Sequence, residues 1–85
     1  MKMPNTEIPN MTKEIDWPAK VKGLLKAELK RRNIGYRELA EKLEAIGIHE
    51  SERNIANKIS RGGFTAVFFV QCLEAIGATN LRLDT

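Results

Sequence analysis

Arg53, Asn57 and Arg61 are spaced i, i+4, i+8, which on an α-helix aligns three hydrogen-bonding side chains along one face. Asn54 and Ser60 flank the row, while Ile55 and Ile59, four residues apart, mark the opposite, apolar face. An arginine fork matches guanine O6 and N7, and an asparagine carboxamide pairs two-fold with adenine N6 and N7. A helix that enters a groove between phosphates must also keep carboxylates off its outer face, and none stands among these five residues. Arg53, Asn54, Asn57, Ser60 and Arg61 are therefore the candidate base contacts, with Lys58 as a candidate phosphate contact. The competing reading is the solvated face of an ordinary surface helix.

Other chemistries find less support. His49, Glu50 and Glu52 are three potential metal ligands on one irregular stretch, without a cysteine or a second histidine, and read as capping and solvated residues. Cys72 lies in an apolar segment with no histidine placed by sequence to activate it, so a buried inert thiol is the expectation. Gly62-Gly63 lacks the following Lys-Ser or Lys-Thr of a phosphate-cradling loop. The chain is not expected to be an enzyme, and no metal, cofactor or small-molecule ligand is evident.

At 85 residues the chain allows one small domain, and its 42% hydrophobic and 29% charged residues are those of an ordinary globular protein. One cysteine excludes an internal disulfide. No apolar run suits a signal peptide or a membrane span, so a cytoplasmic location is expected. The net charge of +3 is unevenly spread. Lys20, Lys22, Lys26, Lys30, Arg31 and Arg32 face only Glu28 within residues 20–32, a local excess of five positive charges. Such a face suits an anionic partner, nucleic acid or a membrane surface, unless it is merely solvated.

The elements that must position these residues follow from caps and periodicity. Residues 1–16, with Pro4, Asn5, Pro9 and Asn10, read as a flexible arm, leaving 17–85 as the folded domain. Asp16 caps a first helix that tolerates Pro18 in its first turn and turns Val21, Leu24, Leu25 and Leu29 inward. After the break at Asn33-Ile34-Gly35, a second helix has Tyr36, Leu39, Ala40, Leu43 and Ile46 on its inner face and stops at Gly47. Ser51 caps the third helix, which Gly62-Gly63 ends, and Thr65 caps a fourth that runs to Gly77. The alternation Asn80-Leu81-Arg82-Leu83 fits one short strand. The expected fold is all-α, with four helices and short connections.

Two short helices joined by a glycine-containing turn, the second exposing Arg and Asn, describe a helix-turn-helix. Leu39-Ala40-Glu41-Lys42-Leu43, the Gly47-Ile48 step and the Ile-bearing helix ending Ser60-Arg61-Gly62 resemble the phage-repressor-like (Cro-type) helix-turn-helix family. Thr65 stands where that family caps its fourth helix, and Glu74-Ala75-Ile76-Gly77 is similar to its usual ending. Over Trp17 to Leu83 the chain is more similar still to a group of small bacterial single-domain proteins with no assigned function. That likeness rests on Trp17, Asn54-Ile55, Asn57 to Gly62, Phe68-Phe69 and Ala75-Ile76-Gly77. Four departures stand beside the matches: Ala40 to Gly47 is nearly one helical turn longer than in the broad family, Ile55 and Ile59 are four apart where three is usual, Tyr36 replaces a common glutamine, and Glu38, Glu41 and Glu44 make the outer face of the second helix acidic.

The resemblance implies a dimeric regulator of transcription that binds double-stranded DNA sequence-specifically, with the third helix in the major groove. Tyr36, which stands where that family commonly has a phosphate-contacting glutamine at the start of the second helix, and its neighbour Arg37 are expected to join Lys58 as phosphate contacts. On the fourth helix Phe69, Val70, Leu73 and Ile76 make one apolar stripe, with Phe68, Cys72 and Ala75 beside it. Either both stripes enter the core, or the second is exposed and meets a second copy of the chain. The expectation adopted is a homodimer joined through Phe68, Cys72, Ala75, Leu81 and Leu83. The alternative function is a helical protein-interaction module, antitoxin-like, without DNA binding.

Overall fold

The computed structural model describes residues 15–84, in which four helices build a small all-α domain. They are α1 (Trp17–Arg31), α2 (Tyr36–Ala45), α3 (Glu52–Arg61) and α4 (Ala66–Ala75). The arm expected at residues 1–16 lies almost wholly outside the described residues. Helices α1 and α2 each pack on both α3 and α4.

Local chemistry sets the helix ends. Asp16 accepts from the Ala19 N–H at 3.1 Å, Ser51 from Asn54 N–H at 3.0 Å, and Thr65 from Phe68 N–H at 3.0 Å. Each side chain satisfies an N–H that has no partner within its helix. Helix α2 starts from Gly35 and has no such side-chain cap. At the other ends, α1, α2 and α4 close with a left-handed residue, Asn33 (φ 56°), Gly47 (φ 87°) and Gly77 (φ 75°). In each case the following N–H turns back to the helix, as Ile48 does to the Leu43 carbonyl at 2.9 Å.

The core is built from Leu25, Leu29, Leu39, Leu43, Ile55, Ile59, Phe68, Cys72 and Ile76. Three expectations change here. Ile46 is 47% exposed, because α2 ends one residue before it and the Gly47 turn delivers Ile48 to the core instead. On α4, Phe68 and Cys72 are buried at 3% and 0%, while Val70, expected inside, is 58% exposed beside Val67 at 66%. Phe64, just before the Thr65 cap, packs its ring 5.6 Å from Phe68 and 5.8 Å from Phe69, turning that face of the helix inward. The surface expected to meet a second copy is thus largely the core of one chain. Phe68 and Cys72 are buried, Ala75 and Leu81 are half-buried, and only Leu83 is exposed.

The alternating tail is not a strand, and no strand occurs among the described residues. A lone strand has no neighbour to satisfy its backbone. The tail closes in a turn, with Arg82 Nε and Nη2 donating to Asp84 at 3.2 and 3.1 Å, and Lys20 Nζ donating to the Leu83 carbonyl at 2.5 Å.

Gly62 joins α1 to the end of α3. It is left-handed (φ 71°), and a Cβ there would stand 2.5 Å from the Pro18 carbonyl oxygen. Gly62→Ala is expected to destabilise the fold by more than the about 1–2 kcal/mol that left-handed backbone alone costs. Gly63→Ala, where an added Cβ meets nothing within 4 Å, serves as the control. Equal denaturation midpoints for the two variants would contradict this account.

Candidate nucleic-acid interface

Helix α3 has the two faces its spacing predicts. Ile55 and Ile59 are fully buried, while Arg53, Asn54, Asn57, Ser60 and Arg61 are all exposed. Helix α2 and α1 support the buried side, so the polar row looks outward from a packed base. Among the described residues no salt bridge engages Arg53 or Arg61. The one carboxylate near the row, Glu52, sits in the first turn, where it complements the helix dipole, and lies 4.0 Å from Arg37 Nε. Both partners are well exposed, so the pair contributes little, but it sets the start of α2 beside the start of α3.

Lys58 departs from the role expected of it. Its Nζ lies 2.5 Å from Glu50 Oε2 and 4.7 Å from the centre of the Phe68 ring. The ammonium therefore bridges the α2–α3 connection and α4, and reaching a phosphate would require it to leave both. Tyr36 is half-buried at the first position of α2, and burial raises its phenol above the usual value, keeping the hydroxyl a donor. Arg37 is exposed. The outer side of α2 carries Glu38, Glu41 and Glu44; Glu38 is 3.9 Å from Lys42, and Glu44 is 3.3 Å from His49 Nδ1. The connection between α2 and α3 is six residues, Ile46 to Ser51, longer than the three or four of a minimal helix-turn-helix.

The basic row of α1 is sorted by the fold. Glu28, which composition alone leaves among the solvated charges, is 3% exposed and pairs with Arg31 and, at 2.6 Å, with Arg32. The Arg32 hydrogen bond, together with Arg31 and against the effect of burial, holds its carboxyl below the usual value. A readable signal existed: Glu28 shares the apolar face of Leu24, Leu25 and Leu29 and has arginines three and four residues on. Lys22 Nζ donates to the Ser60 carbonyl at 3.1 Å, and Lys20, as above, holds the tail. Four of the six cations thus have partners inside the domain. Lys26 and Lys30 remain exposed.

Cys72 is fully buried, and burial pushes its thiol up to about 12, so it stays neutral and unreactive in water at ordinary pH. No helix among the described residues is long and apolar enough to cross a membrane.

No curated protein and no solved structure matches the sequence. The profile of the DUF6471 family, described as a domain of unknown function, matches residues 17–81, from the first residue of α1 to the tail beyond α4. The chain belongs to the DUF6471 family.

Proposed function

We propose that the domain is a sequence-specific, double-stranded-DNA-binding module of a transcriptional regulator that reads the major groove with α3. The observation that carries this reading is the row Arg53, Asn57 and Arg61, exposed together with Asn54 and Ser60 on a helix pinned to the core by Ile55 and Ile59. These side chains have the donors and acceptors that distinguish guanine and adenine edges. Tyr36 and Arg37 supply phosphate contacts at the start of α2. The resemblance of Leu39 to Gly62 to the Cro-type helix-turn-helix family supports the same assignment of roles.

A second reading, a protein-interaction module, draws on Val67 and Val70, adjacent on α4 and more than half exposed. Salt separates the two. Affinity for DNA falls steeply as salt rises, because bound phosphates release counterions, whereas an apolar interface responds little.

The deciding experiment is a binding selection on random duplex DNA. An enriched motif supports the proposal, and its half-site spacing reports whether one copy or two engage the duplex, two helices lying about 34 Å apart for adjacent half-sites. No enrichment overturns it. On the selected site, Asn57→Ala is expected to cost about 1–3 kcal/mol at one base position and to relax preference there. A loss spread evenly over all sequences would argue against base readout by Asn57.

A further inference from the structure

Of the six cations in residues 20–32, the two without a partner among the described residues are Lys26 and Lys30, one helical turn apart. They do not stand alone. Together with Leu29, Ile34 and Tyr36 they line a shallow cavity of about 160 Å³ at the corner between α1 and α2. The corner therefore presents two ammonium groups and a phenol to one concave surface whose floor is apolar. Tyr36 opens α2, and its neighbour Arg37 lies 4.0 Å from Glu52 in the first turn of α3.

We propose that Lys26, Lys30 and Tyr36 form a clamp for the phosphodiester backbone of the duplex whose bases α3 reads, extending the contact surface from α2 onto α1. This rests on the DNA-binding reading above. The chemistry is that of position rather than sequence: ammonium groups and a hydroxyl hold phosphate oxygens and fix the register of the helix in the groove. Two ammonium groups one helical turn apart can each take a separate anionic group along one ligand. A nucleic-acid backbone supplies such groups at regular spacing. Lys20, Lys22, Arg31 and Arg32 lie outside the cavity lining, and each is tethered elsewhere, to the Leu83 or Ser60 carbonyl or to Glu28.

The test compares the salt dependence of duplex binding for the wild type, the double variant Lys26→Gln/Lys30→Gln and the double variant Lys20→Gln/Lys22→Gln, each shown to be folded by its melting transition. The duplex is the selected site, or, if no motif is enriched, one random-sequence duplex. Each lost phosphate contact makes the slope of log K against log salt shallower by about 0.9. The clamp predicts a slope shallower by about 1.8 for Lys26→Gln/Lys30→Gln, an unchanged base preference, and a wild-type slope for Lys20→Gln/Lys22→Gln. Tyr36→Phe should weaken all sequences alike. Equal slopes for both double variants, or a wild-type slope for Lys26→Gln/Lys30→Gln, overturn the clamp while leaving base readout standing. Duplex binding that is salt-dependent through these lysines but shows no motif supports the clamp and overturns sequence-specific reading. A wild type with no duplex affinity overturns both.

Discussion

Phe68→Ala is expected to lower the unfolding free energy by about 3–5 kcal/mol, the usual loss when a buried phenylalanine is truncated. The ring is 3% exposed, meets Phe64 edge-on at 5.6 Å and lies beneath the Lys58 ammonium at 4.7 Å. Removing it therefore leaves a cavity in the core beside the Phe64 turn. It also takes away the surface that holds Lys58 over the core. Small domains have about 5–15 kcal/mol in total, so the loss is a large fraction of the stability and should lower the denaturation midpoint well below that of the wild type. Equilibrium denaturation in urea measures the loss. A variant with the wild-type midpoint that instead changes the sedimentation of the chain would return Phe68 to a surface between copies.

Ile59→Ala should cost about 2–5 kcal/mol for a related reason. Ile59 is fully buried beside Ile55, and these two residues are the buried anchors of α3. The loss therefore bears on function as well as stability, since the same packing aims Arg53, Asn57 and Arg61 outward. Asn57→Ala on the opposite face should leave the midpoint almost unchanged, as exposed substitutions do within about 0.5 kcal/mol. A comparable destabilisation by both substitutions would mean that the two faces of α3 have been exchanged. The pair of measurements thus checks the orientation of the helix independently of any nucleic acid.

The orientation of α3 was legible in the sequence because its pattern is strongly two-faced: isoleucines on one side, arginines, carboxamides and a hydroxyl on the other. Burying any other face would bury charge without a partner. Helix α4 offers no such contrast. Val67, Phe68, Phe69, Val70, Cys72, Leu73, Ala75 and Ile76 surround it, so hydrophobicity alone permits several rotations about its axis. The choice fell to Phe64 and to the shape of the surface presented by α1 and α2, and it put Val70 outside and Phe68 inside. Phe68 and Cys72, expected at a surface between copies, are core for that reason.

The helix boundaries belong to the sequence. Asp16, Ser51 and Thr65 act on N–H groups three residues away, and Gly47, Gly62 and Gly77 are required by left-handed backbone at their own positions. Interactions of such short range need no fold to be read. The charges are the opposite case. The chain lists six cations and one carboxylate between Lys20 and Arg32, but Glu28 finds Arg31 and Arg32 only because α1 buries that face, and Lys20 and Lys22 find carbonyls 63 and 38 residues away. Lys58 likewise turned from solvent to Glu50 and Phe68. Charge number is a property of composition, whereas charge availability depends on which groups the packed chain brings within a few ångströms, and that the tertiary structure alone decided.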